Sequence, residues 1–205
     1  MADATGTRRR ETRPIEILSD DEVRRLLDAC SATAPTGLRN RALIAVLYRA
    51  GLRLGEALAV RPKDIDPGSG AIRVLYGKGR TARTVGIDPG GLAIVQRWLE
   101  ARETLGIEPA APAFCTRNGD PIKASYVRVL FQRLRRKAGI EKRVHAHGLR
   151  HTHAAQLRAE GVDIGIISKQ LGHRHLLTTI RYLDHVSPAD VISTMKARQW
   201  NGNHT

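Results

Sequence analysis

A single β-rich stretch inside an otherwise helical chain most constrains what this sequence can fold into. Short β-type runs occur at Ile65, at 72–74 and at 84–87. Turn sequences separate them, D-P-G at 66–68 and G-K-G at 77–79. Such closely spaced runs predict a small antiparallel sheet with three strands. Helical patterns fill the remainder, so the sequence predicts a mainly helical α+β domain with one small three-stranded antiparallel sheet.

Capping residues and apolar periodicity predict helices on both sides of this sheet. Ser19 and Glu22 form a capping-box pattern, and Gly51 is typical of a helix stop. The predicted helices span about 19–29, 38–50, 54–60, 88–105, 125–137, 148–160, 163–171, 176–183 and 188–198. The chain is thereby divided into a flexible basic arm (1–14), a folded domain (15–187) and a C-terminal helix with its tail (188–205).

The charge of the chain indicates a polyanionic partner. The 205 residues include 34 Lys and Arg against 20 Asp and Glu, which gives a formal net charge of +14. A positive charge of this size is typical of proteins that bind nucleic acid or an acidic membrane surface. Membrane is the weaker candidate, because the longest apolar run, 42–48, is far too short to span a bilayer. The charge favours nucleic acid over a membrane but does not by itself decide the partner; double-stranded DNA, with no membrane association, is the expectation once the motifs described next are added. With only Cys30 and Cys115 and no C-x-x-C pair, we expect a reducing cytoplasmic, nucleoid-associated location.

Four short segments carry residues suited to chemistry on a phosphodiester. They are A-G-L-R-L-G-E with Arg53 and Glu56, Y-G-K-G-R with Lys78, H-G-L-R-H with His147 and Arg150, and L-G-H with His173, nine residues before Tyr182. A guanidinium group can donate two parallel hydrogen bonds to phosphate oxygens while it stays charged. Arg53 and Arg150 are therefore candidates to bind a phosphate and its transition state.

The remaining candidates suit the movement of protons. A tyrosine hydroxyl has a pKa of about 10, so as a nucleophile Tyr182 needs a base or a strongly positive field. His147 or His173 supplies the base or a hydrogen bond. Lys78, at the tip of a predicted turn, is a candidate acid for the leaving 5′ oxygen.

Taken together, the segments resemble the tyrosine recombinase family, also called the phage integrase family. Its ordered pattern of Arg, Lys, His-x-x-Arg, His or Trp, and Tyr matches Arg53, Lys78, His147, Arg150, His173 and Tyr182. The flanking sequences G-L-R-x-x-E, L-R-H-T and L-G-H also match the family. The resemblance covers roughly residues 15–187. Two positions depart from the family: Gly148 stands where an acidic residue is common, and Gly86 where proline is common.

The resemblance implies a site-specific DNA recombinase (integrase) that needs no metal, ATP or other cofactor. Tyr182 is then the nucleophile that forms a 3′-phosphotyrosyl intermediate, and Glu56 supports Arg53. Family members act as tetramers on two DNA sites, so a homotetramer is expected. The helix after 188 would dock on a neighbouring subunit; packing on its own domain stays an open alternative.

Basic residues near the predicted turn and along the 125–137 helix are expected to contact DNA phosphates without reading the base sequence. These residues are Arg80, Arg83, Arg128, Arg133, Arg135, Arg136 and Lys137. We expect this chain to lack the N-terminal domain that completes the clamp of most family members around DNA. It is either a catalytic-domain fragment or a compact one-domain member, and we expect its DNA binding to be weak and strongly salt-dependent.

Three other interpretations are weaker. His147 and His151 have the i,i+4 spacing of a zinc pair, but Arg150 between them opposes a cation, so no metal site is expected. A type IB topoisomerase shares the chemistry of tyrosine attack on DNA but usually lacks the L-G-H motif. A non-catalytic DNA-binding protein that kept the fold has no need of Tyr182.

Overall fold

The computed structural model describes residues 16–75, 82–173, 192–193 and 195–197. Seven helices, α1 to α7, one 3₁₀ turn and two strands, β1 and β2, lie within these ranges. In chain order they are α1 Asp20–Asp28, α2 Pro35–Arg49, α3 Leu54–Ala59, the 3₁₀ turn Pro62–Asp64, β1 Ala71–Val74, β2 Arg83–Gly86, α4 Pro89–Thr104, α5 Ala124–Lys137, α6 Ala146–Ala159 and α7 Ile164–Leu171. The predicted mainly helical α+β class is confirmed.

The described sheet has two strands, so the prediction of three strands is wrong. β1 and β2 pair antiparallel, from Ala71 opposite Gly86 to Val74 opposite Arg83. Ile65 reaches the sheet only through one isolated bridge to Ile72. The chain turns directly after Ile65, where the Asp66 carboxylate accepts from Gly68 N at 2.9 Å. This turn leaves a single residue of the expected strand in position to pair.

The helix ends follow from their capping residues. The Ser19 hydroxyl accepts from Glu22 N at 3.2 Å, and the Glu22 carboxylate accepts from Ser19 N at 2.7 Å, which completes the predicted capping box of α1. Asp88 caps α4 in the same way through Gly90 N and Gly91 N. Gly51 follows α2 with φ +64°, a conformation that costs glycine little. These local signals placed the helix boundaries within a few residues.

α2 is the central helix of the core, and it packs against α4 and α6. Every residue from 42 to 48 on α2 is buried. Trp98 of α4 is also buried, and its indole Nε1 donates to Ala113 O at 2.7 Å, so the ring is packed without loss of its hydrogen bond. Because Gly51 and Arg53 directly follow α2, the candidate site is attached to the most deeply buried of the described helices.

Several predicted features lie outside the described residues. They are the arm 1–14, the 176–183 helix, most of the C-terminal helix, Lys78, Arg80 and Tyr182. Ile192 and Met195, within the described part of that helix, are both exposed. Among the described helices, none has the length and apolar character required to cross a membrane.

Candidate active site

Two arginines from distant segments meet at the end of α7. Arg150, buried on α6, donates through Nη1 to Gly51 O and through Nη2 to Leu171 O. Arg53, at the start of α3, donates through Nη2 to Gly172 O at 3.3 Å. Because Leu171 and Gly172 are consecutive, their carbonyl groups hold both guanidinium groups at one turn. The side chain of Arg53 remains 33% exposed, so one of the two arginines faces solvent.

The turn after α7 places His173 beside this pair. Gly172 adopts φ +62° and ends the helix, and His173 N donates to Ser168 O at 3.1 Å. Burial, followed by the positive charges of Arg150 and Arg53, lowers the pKa of His173 to about 4. The imidazole is therefore neutral at pH 7 and able to accept a proton.

The Glu56 carboxylate lies beneath Arg53 and accepts four hydrogen bonds. Oε1 accepts from Arg53 Nη1 at 2.8 Å and from Arg83 Nη1 at 2.9 Å. Oε2 accepts from Arg53 N at 2.9 Å and from Arg83 Nη2 at 2.8 Å. Burial by itself raises the pKa of Glu56, but the hydrogen bonds from Arg83 and Arg53 outweigh it and hold the pKa at about 2. Glu56 is thus a permanent anion that orients Arg53.

His147 and His151 lie one turn apart on α6 and contact each other. Their Nε2 atoms are 2.7 Å apart, so one ring donates and the other, unprotonated there, accepts. Partial burial and the charges of Arg150 and Arg53 lower the pKa of His147. Burial and the neighbouring His147 lower the pKa of His151 to about 4. Within the described ranges, no three His, Cys, Asp or Glu side chains are grouped to hold a metal ion.

The residues predicted to bind DNA fall into three kinds of environment. Arg83, at the start of β2, is bound to Glu56 inside the site and is only 14% exposed. On α5, Arg128, Arg133 and Arg136 are exposed. The other two α5 residues, Arg135 and the exposed Lys137, donate to backbone carbonyl groups. Of the fourteen residues singled out, the structure brings Arg53, Glu56, Arg83, His147, Arg150 and His173 to one site.

Arg135 and Lys137 of α5 hold neighbouring chain segments. Arg135 donates through Nε to Ile140 O at 3.0 Å and through Nη2 to Glu141 O at 2.6 Å. Lys137 Nζ donates to Ala29 O at 2.8 Å. Both side chains therefore have a structural partner in addition to any part they play at a DNA surface.

Sequence reasoning missed Gln170, which ties the sheet to the site. Its Nε2 donates to Gly86 O at 2.7 Å and to Ala50 O at 3.1 Å, and its Oε1 accepts from Gly86 N at 3.0 Å. One side chain thus joins β2, the end of α2 and α7. A glutamine on a predicted helix carries no local signal of this role; only its place before L-G-H marked the region.

Comparison with known proteins identifies the family. The model of the phage integrase family matches residues 16–187. The chain belongs to this family. Tyrosine recombinase XerC of Halalkalibacterium halodurans (strain ATCC BAA-125 / DSM 18197 / FERM 7344 / JCM 9153 / C-125) is 33% identical over 171 residues, which cover 80% of this chain and 56% of that protein. The chain therefore spans little more than half the length of this curated relative.

Two solved recombinase structures share the fold. The crystal structure of XerA recombinase has a TM-score of 0.75 and 29% identity, covering 90% of this chain and 66% of that one. XerH site-specific recombinase bound to difH substrate, a pre-cleavage complex, has a TM-score of 0.75 and 26% identity, covering 92% of this chain and 55% of that one. The family resemblance read from the ordered motifs is confirmed.

Proposed function

We propose that this protein is a site-specific tyrosine recombinase that cleaves and rejoins DNA, with Tyr182 as the nucleophile. The observation that carries the proposal is the convergence of Arg53 and Arg150 on the turn at 171–172, which leads directly into His173. The contact of Arg53 with Gly172 joins positions 119 apart in sequence. Tyr182 follows His173 by nine residues and lies outside the described ranges.

The charge of the cluster suits an anionic transition state. The site brings together three guanidinium groups, those of Arg53, Arg83 and Arg150, and the Glu56 carboxylate, which accepts from the first two. The charges of these four groups sum to +2 while the histidines are neutral. Attack on a phosphodiester adds negative charge to the phosphate oxygens. Donors that are already oriented stabilise this charge without reorganising, and removal of one such donor typically slows a reaction about 10²- to 10³-fold.

Proton transfer completes the proposed step. The Tyr182 hydroxyl gives its proton to His147 or His173, both neutral at pH 7 because burial and Arg150 lower their pKa values. The phenolic oxygen attacks phosphorus, the bond to the 5′ oxygen breaks, and Lys78 protonates that oxygen as it leaves. A 5′ hydroxyl from a partner strand then attacks the same phosphorus and gives its proton to Lys78, while the bond to the Tyr182 oxygen breaks and that oxygen takes back its proton from the histidine. Since the ester is exchanged and not hydrolysed, the step consumes no ATP.

Double-stranded DNA is the proposed partner, and the XerH complex with its difH substrate supports this assignment. The exposed arginines of α5, Arg128, Arg133 and Arg136, are proposed to contact phosphates. Strand exchange requires two duplexes and a nucleophile for each strand. We therefore extend the proposal to a homotetramer on two DNA sites, acting in the cytoplasm in association with the nucleoid.

The decisive experiment captures the covalent intermediate. A library of nicked duplexes with a randomised central sequence is incubated with the protein, and DNA that remains attached after denaturation with SDS is sequenced. The nick prevents religation, so wild-type protein should accumulate adducts on a restricted set of sequences. Tyr182→Phe should bind the selected duplex and form no adduct, because the phenolic oxygen is missing.

Tyr126→Phe is the matched control. Tyr126 is a half-exposed tyrosine on α5 whose hydroxyl accepts a hydrogen bond from Arg39 at 2.7 Å. This variant loses the same oxygen atom elsewhere and should form adducts at the wild-type yield. An equal adduct yield in Tyr182→Phe would refute the assignment of the nucleophile.

A further inference from the structure

Arg83 has a more restricted environment than the exposed arginines of α5. Both of its terminal nitrogens donate to the Glu56 carboxylate, at 2.9 and 2.8 Å. Its buried Nε has no hydrogen-bond partner within the part of the chain that the structure describes. A guanidinium group whose two-pronged edge already binds a carboxylate does not have that edge available for a phosphate. Its surroundings therefore favour a role that acts through Glu56.

The backbone of Gly172 packs directly on Arg83. A Cβ atom at position 172 would lie 2.6 Å from Arg83 Nε, and φ there is +62°, so only glycine fits without displacement. The carbonyl of the same glycine accepts from Arg53. Arg83, Glu56, Gly172 and Arg53 thus form one contact cluster, in which the position of each side chain depends on the others.

The sharing of one carboxylate has an electrostatic consequence. Without Arg83, Glu56 and Arg53 would form a neutral pair, and the electric field of that pair at a DNA phosphate would be weak. With Arg83 as a second counterion, the three groups keep one net positive charge. The carboxylate orients Arg53 through Nη1 and the backbone N–H without cancelling its charge. Such compensation matters most in a partly buried site, where charges are poorly screened.

We infer that Arg83 is a positioning residue for the recombination reaction: it holds and neutralises Glu56 so that Arg53 stays oriented and positively charged toward the DNA phosphate. This inference rests on the function proposed above. It assigns Arg83 a different role from the phosphate contact that its place in a basic sequence run suggests.

The first test separates positioning from phosphate contact. Arg83→Met should lower the rate of adduct formation on the selected nicked duplex about 100-fold, the size of effect expected when a reacting group is misplaced. Its dissociation constant for uncleaved duplex should stay within about twofold. A phosphate contact would instead reduce the salt dependence of binding by about one in log–log slope. Arg97→Met, an exposed arginine on α4, removes the same charge and should change neither quantity.

The second test is a rescue that a merely structural role does not predict. In Arg83→Met, the unshared Glu56 cancels the charge of Arg53. Adding Glu56→Gln removes that anion but keeps an oxygen that can accept from Arg53, so the double variant should react about tenfold faster than Arg83→Met. A double variant as slow as Arg83→Met, or slower, would overturn the inference. Thermal unfolding of each variant shows whether it is folded.

A measurement without DNA keeps the inference testable in every case. The Nε–Hε resonance of Arg53 should shift between wild type and Arg83→Lys, which keeps the charge but loses one hydrogen bond to Glu56 and serves if Arg83→Met does not fold. An unchanged resonance, or an unchanged cleavage rate in Arg83→Met, counts against the inference. Absence of a Tyr182-dependent adduct in wild type counts against the proposed function instead.

Discussion

The arginine site and the outer face of α5 use the same side chain in opposite ways. In the site, Arg150 and Arg53 are held by backbone carbonyl groups and a carboxylate before any DNA arrives. On α5, Arg133 and Arg136 are exposed to solvent. Preoriented charge in a partly buried site suits the stabilisation of a transition state. Solvated charge attracts DNA through its long-range field and the release of counterions.

The same substitution in the two regions should have very different effects. Arg150→Lys keeps the charge but loses the planar fork that spans Gly51 O and Leu171 O. Adduct formation should fall about 10³-fold, with DNA affinity nearly unchanged. Arg136→Lys, the matched change on α5, should leave the cleavage rate unaltered. Equal losses in single-turnover cleavage assays would show that the division between the two regions is wrong.

Acid should destabilise the region around the buried site through His153. Its imidazole is buried beside Gly51, and burial, with the charges of Arg49 and Arg150, lowers its pKa to about 4. Since the unfolded chain has the higher pKa of 6.5, it binds more protons as the pH falls from 6.5 towards 4, and stability is lost in that window. The contribution of His153 is about 2 kcal/mol between pH 7 and pH 5.

Urea unfolding at pH 7 and pH 5 measures this loss. His153→Gln cannot titrate in that range, so its unfolding free energy should fall by about 2 kcal/mol less than that of wild type over the same pH change. If the unfolding free energies of wild type and His153→Gln fell equally between pH 7 and pH 5, His153 would not carry the effect.

The exposed arginines of α5 should affect DNA binding and leave cleavage unchanged. Arg133→Ala combined with Arg136→Ala should weaken DNA binding about tenfold and lower the log–log salt slope by about two. The cleavage rate at saturating DNA should stay at the wild-type value. Arg24→Ala with Arg97→Ala removes two exposed charges from α1 and α4 and is the control. A loss of cleavage at saturation would place the α5 arginines in the chemistry.

The smallest expected effect distinguishes neighbours within α5. Arg135 binds Ile140 O and Glu141 O, whereas its neighbour Arg136 is exposed. Arg135→Met should lower the free energy of unfolding by about 1 kcal/mol, because two carbonyl groups lose a charged donor. Arg136→Met should change stability by less than about 0.5 kcal/mol. Urea unfolding of the two variants side by side makes the comparison.

The sequence by itself determined the local structure and the identity of the chemical groups. Ser19 marked a helix start and Gly51 a helix end, because caps and stops depend on bonds between residues a few positions apart. The ordered motifs around Arg53, His147-x-x-Arg150 and His173 identified the family for the same reason, since each motif lies within one short segment. The catalytic and DNA-binding roles of all these residues, Lys78 and Tyr182 included, stay predictions.

Only the tertiary structure decided which charged groups are held and which are free. Arg83 and Arg136 are both arginines in basic stretches of the sequence. Arg83 nevertheless donates to Glu56, 27 positions away, whereas Arg136 faces solvent. Ile65 did not extend into a third strand, since its N–H donates to Pro62 O of the 3₁₀ turn that precedes it, and Gln170 joined three elements without a local signal. Such outcomes depend on contacts between residues that folding brings together. No short stretch of sequence specifies the energies of those contacts.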